Sequence, residues 1–159
     1  MQEHTNEIAE IANAFQLDVE TYEDCVLLKN RENGSAIEVF KSIYSIDGKK
    51  EGPFSEYIVR FATQHRHIKE WEDAEAYIRM LLMDERLPIE FYGSGRFDGG
   101  RFGGDIGRDD YFKLSAALLS ERFLYSAEEL SQFEFEIHSW SSQYDVKRMP
   151  VTKLPLRKG

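Results

Sequence analysis

Apolar residues fall into two alternating rhythms along this chain. Near the start, Ile8, Ile11, Ala12 and Phe15 recur at i, i+3, i+4 and i+7, which predicts an amphipathic helix with Thr5 or Asn6 as its N-cap. The period then shortens to two. Cys25-Val26-Leu27-Leu28 reads as a strand, Asn33-Gly34 as a turn and Ile37 to Phe40 as the returning strand, continuing through Ile43 and Ile46 to the hairpin dipeptide Asp47-Gly48. After Pro53, Tyr57, Val59 and Phe61 alternate with Ile58, Arg60 and Ala62. These strands predict an antiparallel meander.

The helical period returns between Glu70 and Arg86, where Ala74, Tyr77, Ile78, Leu81 and Leu82 make one apolar stripe. Glu70, Glu72, Asp73 and Glu75 crowd its first turns, where the helix dipole favours anions, and Leu87-Pro88 is expected to end it. Ile89 to Tyr92 is expected to form a strand leading into a glycine-rich stretch and Tyr111 to Leu114 a strand leading out. Further on, Ala116 to Phe123 reads as helix and Ser126-Ala127-Glu128-Glu129 as a capping box. Leu130, Phe133, Ile137, Trp140 and Tyr144 keep helical spacing, although Phe133 to Ile137 also alternates as a strand does. The expected fold class is α+β: an antiparallel meander with packed helices and a protruding glycine-rich hairpin loop. No linker composition divides the chain, so residues 1–159 are expected to form one domain, with 147–159 a basic irregular tail.

Seven of the eleven glycines lie between Gly93 and Gly107, interleaved with arginine, phenylalanine and aspartate. The segment contains a five-residue near-repeat, Arg96-Phe97-Asp98-Gly99-Gly100 then Arg101-Phe102-Gly103-Gly104-Asp105. Glycine permits positive φ and close backbone approach, and arginine and aromatic side chains are enriched at binding hot spots. Fixing such a stretch costs on the order of 15–30 kcal/mol of backbone entropy, which pairing, packing of Phe97 and Phe102, or a partner must offset. The residues assigned to binding are Gly95, Arg96, Phe97, Asp98, Gly99, Gly100, Arg101, Phe102, Gly103, Gly104, Asp105 and Arg108. Arg96, Arg101 and Arg108 supply planar donor forks, and Asp98 and Asp105 resemble an anionic ligand. A phosphate cradle would instead need a glycine turn between a strand and a helix N-terminus, and a solvated loop would need no phenylalanines.

Charge and composition narrow the classes. Apolar residues at 42% and charged residues at 31% fit a soluble globular chain. The net charge is −9, and the last thirteen residues hold five basic and no acidic side chains, leaving an acidic body. That balance disfavours a nucleic-acid partner and favours a basic protein surface. No signal-peptide pattern or membrane-length apolar run is present, so a cytoplasmic location without membrane contact is expected. The lone Cys25 has apolar neighbours and reads as an inert thiol. His65 and His67 would share one face of a strand, but a third ligand is missing, and no metal or cofactor is expected. Nor does any catalytic order of Ser, His and Asp stand out, so the expectation is a protein that is not an enzyme.

Three segments together carry a resemblance: EWEDAEAYIRMLLMDERLP, GSGRFDGGRFGGDIG and SAALLSERFLYSAEELSQF. With the meander before them, they resemble immunity proteins of bacterial polymorphic toxin systems, nearest the TNT-antitoxin family, whose members neutralise necrotising toxins with NAD glycohydrolase activity. The resemblance covers Tyr57 to Phe133. It implies a one-to-one cytosolic complex with a cognate toxin, whose NAD pocket the glycine-rich loop would block. The alternatives are a nucleotide- or phosphate-binding domain, or enzyme, using the same loop, and a self-associating scaffold.

Overall fold

The computed structural model describes residues 1–44 and 53–156. Contacts divide the chain into two compact units, Met1–Leu82 and Met83–Gly159. No composition change marks the boundary, because a helix ends at Leu82 and a strand begins at Arg86 with only a tight turn between them. The class is α+β, as the two rhythms predict.

In the first unit, a 3-10 turn (Gln2–His4) leads into α1 (Thr5–Phe15), so His4 takes the N-cap position expected of Thr5 or Asn6. Five strands form a meander in the order β1 (Asp18–Thr21), β2 (Cys25–Lys29), β3 (Ala36–Tyr44), β4 (Phe54–Phe61) and β5 (Gln64–Ile68). Ile46 and Asp47-Gly48 lie outside the described residues. Register explains the core face: Val26, Val39 and Val59 form one cross-strand row, and Leu28, Ile37 and Phe61 the next. All six are buried. Helix α2 (Trp71–Leu82) packs on β4 and β5 and buries Trp71, Ala74, Tyr77, Ile78, Leu81 and Leu82. It stops four residues short of Arg86. There Arg86 and Leu87 pair as strand with Gly107 and Ile106 instead.

His4 docks the N-terminal turn onto this unit. Its ring stacks on Trp71 at 4.1 Å between centroids, and its Nε2 shares a 2.7 Å hydrogen bond with the Tyr57 hydroxyl.

The second unit is a four-stranded antiparallel sheet in the order β7 (Arg101–Gly107), β6 (Arg86–Gly93), β8 (Phe133–Ile137) and β9 (Val146–Pro150). Helices α3 (Arg108–Tyr111), α4 (Ala116–Arg122) and α5 (Ala127–Leu130) connect β7 to β8. Two expectations are corrected. Phe133 to Ile137 is a strand, because alternation puts Phe133, Phe135 and Ile137 into the core while Glu134 and Glu136 face away. The chain from Lys147 is not irregular throughout either: it begins inside β9 and continues as a 3-10 turn over Val151–Lys153, with Val151 buried, while 157–159 lie outside the described residues. The expected capping box is present. Ser126 Oγ accepts from Glu129 N–H at 3.1 Å, and Glu129 accepts from Ser126 N–H at 3.0 Å. The core collects Leu87, Ile89, Phe91, Ile106, Leu119, Leu130, Phe133, Phe135 and Ile137.

Candidate functional site

The glycine-rich segment is a hairpin, but not a long protruding loop. Its returning strand is β7, drawn from the glycine-rich residues themselves, and Tyr111, expected to open that strand, instead closes α3. What remains of the loop is Ser94 to Gly100, bracketed by a Gly93 N–H to Gly100 O hydrogen bond of 2.8 Å. Inside the bracket, residues 95–97 form one 3-10 turn. Phe97 N–H donates to Ser94 O at 3.0 Å and Gly100 N–H to Phe97 O at 2.8 Å, while Ser94 N–H and Oγ both donate to Gln132 O. The tip is tied to itself and to the chain before β8.

The two phenylalanines, assigned to a partner, turn inward. Phe102 stacks on Phe91 at 4.5 Å and on Tyr125 at 4.6 Å, and Phe97 lies 5.1 Å from Phe133. Several glycines serve this packing. A Cβ on Gly93 would sit 2.1 Å from Phe97 O, one on Gly100 2.9 Å from the same oxygen, and one on Gly104 3.2 Å from Phe123. Gly95 and Gly99 take φ of +58° and +81°, which side chains rarely adopt.

The remaining assigned residues separate into two groups. Arg96, Asp98, Gly99 and Gly100 are exposed at the tip. Arg96 is 66% exposed, lies over the Phe97 ring at 4.7 Å, and reaches Glu129 only at 3.7 Å. Arg101, Asp105 and Arg108 have firm partners of their own. Arg101 donates Nε and Nη2 to Glu90 Oε1 at 2.8 and 2.5 Å, Arg86 pairs with Asp105, and Arg108 Nη1 donates to Met83 O at 3.1 Å. Gly103 is exposed on β7.

Bonded and non-bonded pairs alternate along an antiparallel ladder. With Gly93 and Gly100 bonded, Phe91–Phe102 and Ile89–Gly104 are bonded pairs, whereas Tyr92–Arg101, Glu90–Gly103 and Pro88–Asp105 are not. Pro88, with no N–H, therefore sits where this ladder asks none of it. Arg101 and Gly103 direct their backbone groups away from β6, on the outer strand of the sheet. Compared with protein-family models, curated proteins and solved structures, the chain matches none.

Beside the hairpin, the sheet's second face carries a charged network that the sequence did not single out. Tyr92 donates its hydroxyl to Glu136 Oε1 at 2.5 Å, and His138 Nε2 lies 3.5 Å from that oxygen. The Arg148 guanidinium lies 3.4 Å from the Tyr92 ring centroid and that of Arg101 5.0 Å. Burial, then the Glu136 carboxylate, pushes the Tyr92 hydroxyl above its ordinary pKa. Burial alone would raise Glu136 as well, but the hydrogen bond from Tyr92, with the His138 ring and the Arg148 guanidinium nearby, outweighs it and holds the carboxyl below the usual range. Glu90 is buried, and its Oε2 has no hydrogen-bond partner among the described residues. The one advance signal was the Glu134/Glu136 alternation.

The histidine pair lies on β5, with ring centroids 5.2 Å apart and His67 Nδ1 2.7 Å from Glu56 Oε1. Among the described residues no helix is long and apolar enough to cross a membrane.

Proposed function

We propose that the protein is a stoichiometric binding protein of the immunity type, which holds a toxin one-to-one in the cytosol through the tip of the β6–β7 hairpin. The carrying observation is that the tip is both exposed and already ordered. Its backbone is tied by the hydrogen bonds at Gly93, Phe97, Gly100 and Ser94, while Arg96 and Asp98 stand in solvent. A contact surface ordered before binding loses less entropy on association. An exposed guanidinium with one distant carboxylate neighbour is ready for a bidentate acceptor. The partner class comes from the family resemblance, with an NAD glycohydrolase as the toxin that resemblance implies.

This reading differs from a plug. Phe97 and Phe102 are half-buried and packed against the core, so contact falls mainly to Arg96, Asp98, Gly99 and the outward backbone of Arg101 and Gly103. The phosphate-binding alternative needs a glycine turn that feeds a helix, and here the turn joins one strand to another.

The test is capture of the partner from the native organism, followed by titration with Arg96→Glu/Asp98→Lys. Charge reversal at two exposed tip residues should leave the melting temperature close to that of the parent and weaken binding at least a hundredfold. Unchanged affinity would remove the tip from the interface. Specific stabilisation by a nucleotide panel, lost in the same variant, would favour the phosphate reading.

A further inference from the structure

A second surface belongs to the first unit and is independent of the hairpin. Strand β1 is an edge strand, paired only with β2. Tyr22 N–H donates to Cys25 O at 2.8 Å, which fixes the phase of that ladder. Counting back by alternation, Glu20 and Asp18 bond to β2, whereas Val19 and Thr21 direct their N–H and C=O groups to the open edge. Neither has a backbone partner there among the described residues.

The same two residues line a groove. Val19 and Thr21 lie across a cavity of about 170 Å³ from Thr5 and Ile8 of α1, with Met1, Gln2 and Val26 also lining it. Its lining is mixed, apolar at Met1, Ile8, Val19 and Val26 and polar at Gln2, Thr5 and Thr21, and its volume is of the order that admits one small apolar side chain. The alternate residues of β1 are charged, but they are held elsewhere: Glu20 pairs with Lys29 at 2.5 Å and Asp18 with Arg31 at 2.8 Å. Edge strands are commonly guarded by lysine, proline or inward-pointing charge. On the groove side of β1 the exposed side chains are instead Val19, at 39%, and Thr21, while the Tyr22 hydroxyl is bonded to Glu20 at 3.0 Å.

Open backbone groups beside a side-chain pocket are what strand addition uses: the main chain gives affinity and the pocket selects the side chain. Charge decides between occupants. The first unit carries sixteen acidic and nine basic residues, so pairing two copies edge to edge would bring like charges together. We propose that β1 is a docking edge for an extended segment of a basic partner protein, which adds a strand against Val19 and Thr21 and places one apolar side chain in the groove.

A blocked five-residue peptide alternating lysine and leucine is the probe, titrated into the full-length isotope-labelled protein. Saturable amide shifts are expected at Val19 and Thr21. At saturation, exchange of those two amides should slow at least tenfold while Glu20, already bonded to β2, is unchanged. Val19→Lys should weaken binding at least tenfold and leave the fold intact, since the side chain is exposed. A peptide N-methylated at the amides facing the edge should fail to bind. No saturable shift at millimolar peptide, slowing without the alternation, or equal binding of a glutamate–leucine peptide would each overturn the proposal. A concentration-dependent dimer abolished by Val19→Lys would do the same, because it would make a second copy the occupant.

Discussion

Gly93 has no room for a side chain, whereas Gly99 has nothing within 4 Å of where one would start. Gly93→Ala should therefore cost about 1–3 kcal/mol through forced backbone movement. Gly99→Asn should stay within about 0.5 kcal/mol, because asparagine tolerates the left-handed region and meets no neighbour. Urea denaturation of the two variants measures both. Asp110 gives the clearest pH dependence. Its largely buried carboxylate accepts from Arg122 Nε at 2.9 Å and Nη2 at 3.1 Å, and that pairing holds its pKa below the ordinary aspartate value. A depressed folded pKa contributes stability that is present above the unfolded value, about 3.9, and disappears as pH falls through the folded one. Asp110→Asn should thus lose about 1–2 kcal/mol at neutral pH, discounted for the half-exposed arginine, and lose less than the parent on acidification. Denaturation at pH 7 and pH 3 checks both halves.

Strand β7 was the element hardest to foresee. Its core positions are Phe102, Gly104 and Ile106, so the apolar alternation breaks at Gly104, and that break is filled by Phe123, nineteen residues on in sequence but adjacent in space. A glycine that yields its volume to a distant ring looks, in sequence, like a loop residue. Helices α1, α2 and α4, strand β4 and the capping box were legible because their signals are local. Strand β8 was ambiguous for the opposite reason: Phe133 and Ile137 satisfy both periods, and pairing with β6 decides between them. The Tyr92–Glu136–Arg148 network spans three strands, and apart from the Glu134/Glu136 alternation it has no local signature. Of the assigned tip, Arg96 and Asp98 are outward, whereas Phe97 and Phe102 are half-buried against the core, a packing that residue type alone does not reveal. Phe102→Ala should cost about 3 kcal/mol, and Ser126→Ala about 1 kcal/mol through the lost cap. Removing residues 95–106 would take away β7 with its core side chains. That deletion should unfold the second unit, seen as lost sheet signal by circular dichroism, and is unsuited to testing binding.

At the scale of the whole molecule, each compact unit contains one tryptophan, Trp71 in the first and Trp140 in the second. Trp71→Phe and Trp140→Phe therefore report on one unit each by fluorescence. The first unit has an excess of seven acidic residues and the second of two, so self-repulsion weighs more on the first. Raising salt from about 10 to 150 mM should lift the unfolding midpoint reported by Trp71 more than that reported by Trp140. Equal shifts would show that the two units unfold as one. The bonded turn around Arg96 has a further consequence. A protease must draw substrate into an extended run before cutting, and loop tips are usually where it succeeds. Here the exposed arginine is the bait, but the chain on either side is pinned. Trypsin should spare the bond after Arg96 until the hairpin parts, so the rate of that single nick would time how often β6 and β7 come undone.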